Sequence, residues 1–215
     1  GAEAALRLLG VANNKQKKDF CRDLKGKFVA LATNAVDFVV MMRLATTVDD
    51  TVLLSKTMLA EWTADLSALV FDKYGHKVLA WIFQPDDKHL FSPYERTCLA
   101  LPSCTALKAP ETRRQELVRV LKGPLRAVLL EDPLKAAADT HAMHLLAAYM
   151  AADWDSELVE SLVAAGTKDE ALERLDDGTT TTALLTLLRL QPSEAGMADL
   201  ALLLWRRCLE PRLVV

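Results

Sequence analysis

Residues 72–80, Asp72-Lys73-Tyr74-Gly75-His76-Lys77-Val78-Leu79-Ala80, form the stretch that decides the fold. A glycine is followed by two polar residues and then by an apolar run. This pattern indicates a helix whose start faces solvent or a ligand and whose continuation is buried. Because one such unit cannot bury its own apolar face, further copies are expected at a fixed spacing along the chain.

Three other segments align with this stretch. They are segment 34–42 upstream, and segments 139–147 and 177–185 downstream. The step from the first segment to the second equals the step from the third to the fourth, whereas the step between the second and the third is longer. The spacing predicts four degenerate helical repeats of about 38 residues with an insertion of about 29 residues between the second and the third.

The extra length coincides with a proline-rich stretch over residues 85–112. It contains four prolines, at Pro85, Pro93, Pro102 and Pro110. Since prolines so close together cannot lie in a helix interior, we expect a loop there. Residues 1–84 would then hold an N-terminal helix and two repeats, and residues 113–215 two further repeats. Gly123-Pro124 is expected to mark a turn or a helix start.

The composition is typical of an all-α protein. Hydrophobic residues make up 51% of the 215 residues, aromatic residues only 6%, and Gly and Pro are scarce at 8 each. Amphipathic helices are expected over 51–62, 115–121 and 155–165, with acidic caps at Asp49-Asp50 and Asp155. Together these features predict an all-α, right-handed helical-repeat solenoid of the armadillo-like kind. No apolar run reaches the about 20 residues that a membrane span needs.

The ends and the cysteines suggest an intracellular fragment. The chain does not begin with Met and carries no secretory signal, so we expect it to be a piece of a longer protein. Its cysteines lack the spacing of a zinc site or a disulfide framework, which predicts reduced thiols. They are Cys21, Cys98, Cys104 and Cys208.

Positive charge is concentrated in two segments, although the net charge is −3. Residues 15–27 carry +4 and residues 111–126 carry +3, which leaves −10 for the remainder. One interpretation is that the two segments hold a polyanion while the rest of the surface repels it. The other is that both are solvated faces of amphipathic helices. Both interpretations stay open at this point.

Several short motifs, taken in order, resemble the Puf-A group of nucleolar Pumilio-homology (PUF) proteins. They are Leu24-Lys25-Gly26-Lys27-Phe28, Thr47-Val48-Asp49-Asp50-Thr51, residues 72–79, Phe91-Ser92-Pro93-Tyr94-Glu95 and Arg113-Arg114-Gln115-Glu116-Leu117. The resemblance is clear over about residues 20–135 and holds in outline over 136–215. The last motif looks like the start of the group's CPL region.

The resemblance implies both a fold and a function. It implies an α-helical PUF solenoid that binds RNA or DNA with little base specificity and acts in pre-rRNA processing during large ribosomal subunit biogenesis. The implied location is the nucleolus or nucleus, and the implied partners are pre-ribosomal RNA and ribosomal proteins or assembly factors. An alternative is a helical-repeat scaffold that docks such proteins. Translational repression of mRNA, known for some members, is a further alternative.

The positions that read bases in PUF repeats are degenerate in this chain. Sequence-reading repeats contact each base with two edge-binding side chains and one stacking side chain. No repeat here offers the polar pair that a base edge requires. The corresponding residues are Phe38, Val39 and Met42, then His76, Lys77 and Ala80, then Met143, His144 and Ala147, and finally Thr181, Thr182 and Leu185. Binding through phosphates is therefore expected instead.

We predict nucleic-acid contacts from three groups of side chains. His76 in the second repeat either stacks on a base or is a polar residue at a helix start. The predicted contacts are Lys73, His76 and Lys77 in the second repeat, Lys15, Lys17, Lys18, Arg22, Lys25 and Lys27 in the first basic segment, and Arg113 and Arg114 in the second.

No set of residues indicates catalysis. His141 and His144 have a spacing that can ligate a metal, but no two further ligands converge with them, so ordinary helix histidines are favoured. A glycine-rich phosphate loop, a nucleophile elbow and a metal triad are all missing from the sequence. We therefore expect no enzymatic activity, no metal, no cofactor and no membrane partner.

Overall fold

The computed structural model describes residues 1–85, 87–100, 106–166, 177–192, 200–204 and 206. Every regular element in these ranges is a helix, which confirms the all-α expectation. Predictions that concern Pro102, Cys104 and Cys208 lie outside the described residues. The chain forms two compact units, Gly1–Leu125 and Arg126–Val215.

The first unit contains the larger number of described helices. They are α1 (Ala2–Val11), α2 (Asn14–Asp23), α3 (Phe28–Ala32), α4 (Phe38–Thr47), α5 (Thr51–Leu54), a π-helical turn (Ser55–Leu59), α6 (Ala60–Ala64), α7 (Leu66–Val70), α8 (Gly75–Phe83), α9 (Pro93–Leu99) and most of α10 (Pro110–Glu131). The second unit contains α11 (Pro133–Ala138), α12 (Ala142–Ala152), α13 (Ser156–Gly166), α14 (Gly178–Leu190) and α15 (Leu200–Leu204).

The four aligned repeat segments begin with the same local turn. In each, one side-chain oxygen of the first residue accepts hydrogen bonds from the backbone N–H groups two and three residues later. The acceptors are Asn34 (2.9 and 3.2 Å), Asp72 (2.8 and 2.8 Å), Asp139 (2.8 and 2.9 Å) and Asp177 (2.9 and 3.2 Å). These bonds satisfy donors that a helix start leaves free. The predicted register of the four repeats is therefore confirmed.

Gly75 is required because α7 and α8 approach each other closely. A Cβ atom at this position would lie 2.7 Å from the carbonyl oxygen of Leu69 and 2.9 Å from its Cα atom. Since both are backbone atoms, the clash cannot be relieved by a side-chain rotation. The glycine of the opening motif thus serves packing between two helices of the repeat.

The core of the first unit lies where the repeats pack on one another. Trp62 is fully buried, and its Nε1–H donates to the carbonyl oxygen of Phe28 at 3.1 Å. The inner helices α4 and α8 pack together and are buried along most of their length. In the second unit, α12 packs against α11 and α14, and Asp155 caps α13 by accepting from Leu158 N–H at 3.1 Å. The helix expected over 155–165 is thereby confirmed.

Two expectations about prolines need correction. The stretch 85–112 is not a simple loop, because it contains α9, whose start is stabilised by a capping box between Ser92 and Glu95. Pro93 and Pro110 lie at helix starts, where a missing N–H costs nothing. The boundaries expected at residues 84 and 112 stay a prediction.

Gly123-Pro124 was expected to be a turn or helix start, and this was wrong, because α10 runs through it. The proline removes one hydrogen bond from a helix of 22 residues. An apolar stripe on both sides of the proline outweighs that loss. Its members, all buried, are Leu117, Leu121, Leu125 and Leu129.

Candidate nucleic-acid interface

Helix α2 has one buried face and one basic face. Lys17 and Cys21 are buried, one helical turn apart, and Leu24 continues that side half-buried. On the other side of the helix, basic residues recur at helical spacing and face solvent. We define the basic stripe of α2 as Lys15, Lys18 and Arg22 together with Lys25, which lies just beyond the end of the helix; Lys15, Arg22 and Lys25 are exposed.

The cations of the first basic segment differ in how they are neutralised. Lys18 pairs with Asp50 at 2.8 Å, and Arg22 pairs with Asp19 at 2.9 Å. Exposed Lys15, Lys25 and Lys27 have no carboxylate partner among the described residues. Surface ion pairs of this kind are weak, so a phosphate can replace their carboxylates at little cost. Solvent and anions can therefore reach most of the positive charge of residues 15–27.

A carboxylate fixes the turn that carries Lys25 and Lys27. Glu61 accepts from the backbone N–H groups of Gly26 (2.6 Å) and Phe28 (3.0 Å), one with each oxygen. Gly26 has φ = 81°, in the left-handed region that favours glycine. The turn is thus held to α6, and the two lysines extend from a fixed backbone.

Lys17 is the exception in this segment, and its assignment as a phosphate contact is corrected. Its side chain is buried, and Nζ donates to the carbonyl oxygen of Thr47 at 2.9 Å. Thr47 is the last residue of α4, where carbonyl groups lack helical partners and a positive charge is favourable. Burial lowers the pKa of the Lys17 ammonium, an effect that the Asp49 carboxylate opposes. Lys17 therefore caps a helix and does not face solvent.

Arg113 is also corrected, because it caps the same helix end from the second basic segment. Only 3% of its side chain is exposed. Its guanidinium donates to the carbonyl oxygens of Thr46 (2.6 Å) and Val48 (3.1 Å) and pairs with Asp49 Oδ1 at 2.6 Å. Burial would raise the pKa of the Asp49 carboxyl, but backbone N–H groups and Arg113 together hold it below its ordinary value.

Three further cations of residues 108–126 are engaged inside their own unit, whereas Arg119 is exposed. Arg114 donates to the carbonyl oxygen of Phe83, the last residue of α8, at 2.8 Å and pairs with Glu111 at 2.7 Å. Lys108 pairs with Glu116 at 2.6 Å. In the second unit Arg126 bonds Asp155 at 2.5 Å and also pairs with Glu157. Arg114 thus serves the C-terminus of an inner helix, and its assignment as a free phosphate contact is corrected.

The three residues predicted to contact nucleic acid in the second repeat differ in their exposure to solvent. His76 is buried, with Nδ1 2.9 Å from the carbonyl oxygen of Asp72, so its proposed stacking on a base is corrected. Lys77 is half-buried, and its ammonium pairs with Glu95 of α9 at 2.7 Å. Lys73 is exposed, and its ammonium lies 5.3 Å from the centre of the Tyr74 ring. Of the three, only Lys73 faces solvent freely.

The degenerate base-reading positions have different environments in different repeats. In the first two repeats Phe38, Met42 and Ala80 are buried. In the fourth repeat Thr181 and Thr182 are exposed, and Leu185 is 49% exposed. No polar pair that could bond a base edge faces solvent in the first two repeats, which agrees with the expectation of no sequence readout.

Sequence reasoning missed the acidic partners that decide these roles. Asp49 and Asp50 were expected only as helix caps, and Asp50 does cap α5 by accepting from Leu53 N–H at 2.9 Å. The sequence did not reveal the roles of Glu61 and Glu95, because their hydrogen-bond partners lie 35 and 18 residues away in the chain.

The described residues were also compared with the requirements of a metal site and of a membrane span. Within it, His141 and His144 are half-buried, and no group of three or more metal-ligating side chains is found. None of the described helices is both long enough and apolar enough to span a membrane.

The chain matches a known domain family over more than half of its length. The CPL (NUC119) domain family matches residues 71–184. Pumilio homology domain family member 6 of Schizosaccharomyces pombe is 29% identical over 150 residues, which cover 67% of this chain and 23% of that protein. Pumilio domain-containing protein 12 of Caenorhabditis elegans is 33% identical over 100 residues, which cover 46% of this chain and 13% of that protein.

The fold is similar to that of human Puf-A. Its crystal structure covers 96% of this chain with a TM-score of 0.82 and 22% identity, and the chain covers 43% of it. Human Puf-A in complex with DNA gives a TM-score of 0.84 at 21% identity, with 96% of this chain and 42% of that chain covered. The chain spans about a quarter or less of the length of its curated relatives. The helical-repeat fold is thereby confirmed, the relatives found are Pumilio-homology proteins, and the chain belongs to the CPL (NUC119) domain family.

Proposed function

We propose that this chain is a nucleic-acid-binding module that holds the phosphate backbone with the basic stripe of α2 and does not read the base sequence. The observation that carries the proposal is the set of exposed cations in residues 15–27, three of which lack a carboxylate partner among the described residues. Such a cluster neutralises phosphates and releases counterions, which is the main source of non-specific affinity. The adjoining turn holds Lys25 and Lys27 on a fixed backbone, which reduces the entropy lost on binding.

The comparisons support the proposal at the level of the fold class. Human Puf-A, which shares this fold, has been crystallised in complex with DNA. In this chain the inner-helix positions of the first two repeats do not offer base-edge partners, so phosphates are the remaining targets. Lys73 adds a separate exposed cation on the second repeat.

We place this activity in the assembly of the large ribosomal subunit, with structured pre-ribosomal RNA as the substrate and the nucleolus or nucleus as the location. The support is the resemblance of residues 20–135 to the Puf-A group. Ribosomal proteins or assembly factors are the proposed protein partners. No catalytic step is proposed.

A protein-interaction scaffold is the second candidate function. One observation favours it for the fourth repeat, where Leu185 is 49% exposed at a former base-reading position. An exposed leucine of this kind suits an apolar partner better than a phosphate. The two functions can coexist, since they use different units of the chain.

The proposed function is tested by the salt dependence of RNA binding. Replacing Lys15, Arg22 and Lys25 with Ala should reduce the slope of log K against log salt by about 2 for single-stranded RNA, because each phosphate contact contributes about 0.7. The matched control replaces Lys56, Lys88 and Arg119, which are also two lysines and one arginine and are exposed. The proposal fails if both triple variants lower the slope equally, or if the unmodified chain binds RNA without any dependence on salt.

A further inference from the structure

The inner-helix face of the first two repeats is covered by residues 87–100 of the same chain. Helix α9 packs against α4, and Phe91 meets Trp81 edge-on with the ring centres 4.9 Å apart. Phe91 is almost fully buried, and Arg43 of α4 donates to the carbonyl oxygen of Leu99 at 3.0 Å. An aromatic contact near one end and a hydrogen bond at the other therefore hold this segment in place. We call residues 87–100 the cover.

Groups that suit single-stranded nucleic acid lie next to Lys77, the inner-helix cation that the cover contacts. Phe38 and Tyr74 form an aromatic pair with ring centres 5.1 Å apart. The ammonium of Lys73 lies 5.3 Å from the Tyr74 ring centre, and that of Lys77 lies 5.9 Å from the Phe38 ring centre. Aromatic rings beside cations are the combination that binds bases by stacking and phosphates by charge.

The cover supplies an anion to one of these cations. Glu95 Oε1 accepts from Lys77 Nζ at 2.7 Å, and only 9% of the Glu95 side chain is exposed. Its other oxygen accepts from the backbone N–H of Ser92 at 2.7 Å. One carboxylate thus fixes the start of α9 and neutralises Lys77. A carboxylate and a phosphate offer a lysine the same kind of charged acceptor.

We propose that the cover competes within the molecule with single-stranded nucleic acid for the inner-helix face, with Glu95 in the place of a phosphate. This inference rests on the proposed function and extends it to a second surface. While the cover is in place, the basic stripe of α2 can still bind phosphate, whereas Lys77 is paired with Glu95 and cannot. Removing the Glu95 charge frees Lys77 for one further phosphate contact.

The test is Glu95→Gln, measured by anisotropy with a labelled single-stranded uridine oligomer over a series of salt concentrations. Gln at this position keeps the capping box, so α9 retains its start. One added phosphate contact should steepen the salt slope by about 0.7 and raise the affinity about fivefold at 0.1 M salt. The gain should disappear in Glu95→Gln combined with Lys77→Gln.

The matched control is Glu116→Gln, which removes the same charge and releases Lys108 from an ion pair of similar length. It should not produce a gain that depends on Lys77. A second readout is the acylation rate of the Lys77 amine, which should rise in Glu95→Gln without RNA. A thermal unfolding curve checks that each variant is folded.

The outcomes separate the inference from the proposed function. The inference is overturned if the unmodified chain binds RNA and Glu95→Gln binds with the same slope, or if Lys77 is no more reactive in that variant. It is also overturned if the gain persists without Lys77, since the effect would then be one of general charge. If neither protein shows salt-sensitive binding, both the inference and the proposed function fail.

Discussion

Two segments of this chain carry nearly the same excess of positive charge and have opposite structural roles. In residues 15–27 most cations are on the surface, and only Lys17 is buried. In residues 111–126 Arg113 is buried, whereas Arg114 and Arg126 bond carbonyl or carboxylate oxygens within their own units. Most of the charge of the first segment is thus exposed, whereas Arg113 and Arg114 of the second segment hold helix ends together and Arg119 is exposed.

Whether a cation is exposed or engaged depends on the acceptor groups around it and not on the type of the cation. Lys17, Arg113 and Arg114 each donate to a carbonyl group at or next to the C-terminus of α4 or α8. Such carbonyl groups lack helical partners, and the helix dipole favours a positive charge beside them. Counting basic residues therefore overestimates the surface available to a polyanion, because some of them cap helices.

The largest expected effect is the loss of stability in Arg113→Met. Removing this guanidinium takes the cationic partner from Asp49, which keeps two backbone N–H donors, and takes a donor from three carbonyl oxygens. The free energy of unfolding should fall by about 3–5 kcal/mol, because a mostly buried carboxylate then lacks its cation and several carbonyl groups lose a donor. Arg119→Met, at an exposed position of the same helix, should be nearly neutral for stability. Urea unfolding measures both variants, and equal, small effects would show that Arg113 has no structural role.

A smaller loss is expected from Lys17→Met, which keeps most of the side-chain volume. The carbonyl oxygen of Thr47 then loses its donor in a buried place, and the cost should be about 1–3 kcal/mol. Lys15→Met, two residues away and exposed, is the matched control and should be nearly neutral for stability. Lys15→Met should nevertheless weaken RNA binding, whereas Lys17→Met should leave the salt slope unchanged. The reverse pattern would contradict the assignment of the two lysines.

The stability of the protein should also depend on acid, because Arg126 of the second segment pairs with the Asp155 carboxylate. Burial would raise the pKa of its carboxyl, but Arg126, the Leu158 N–H and the Tyr149 hydroxyl hold it below the ordinary value. A carboxyl whose pKa is lower in the folded state contributes stability that is fully present above about pH 4 and is lost as the pH falls through the folded value.

Arg126→Gln should therefore reduce the dependence of stability on pH below about pH 4. Urea midpoints measured at several pH values would show this as a flatter curve for the variant. Arg189→Gln, an exposed arginine of the same unit, is the control. Parallel curves for Arg126→Gln and the unmodified chain would exclude this role of the pair.

The smallest effect is expected for the surface pair of Lys18 and Asp50. Lys18→Gln should cost between about 0 and 1 kcal/mol, because the pair is partly exposed and screened by salt. The same variant should lower the salt slope of RNA binding by about 0.7 if Lys18 exchanges Asp50 for a phosphate. A loss of stability as large as that of Arg113→Met would remove the distinction between the two segments.

The sequence predicted the repeat register because its determinants are local. The Asx residues at Asn34, Asp72, Asp139 and Asp177 bond backbone groups only two and three residues away, so their spacing is visible in the chain. The roles of Lys17 and Arg113 were not predictable in this way. Their acceptors lie far away in the chain, and no local pattern marks a lysine that will cap another helix.

The proline errors have a similar cause. Pro124 looked like a break because proline propensity is a local property, whereas the buried leucines that keep α10 helical act through tertiary packing. Pro93 was correctly excluded from a helix interior, but it begins a helix whose capping glutamate also pairs with Lys77. A local rule gave the position of the proline and could not show what the following residues pack against.

The central claim is that residues 15–27 contact nucleic acid and residues 111–126 do not. Covalent labelling of amines, followed by mass spectrometry with and without RNA, tests it residue by residue. The claim predicts that RNA protects Lys15, Lys25 and Lys27 and leaves Lys56, Lys88 and Lys122 labelled to the same extent. Protection of Lys122, or equal labelling of Lys15, Lys25 and Lys27 in both conditions, would contradict it.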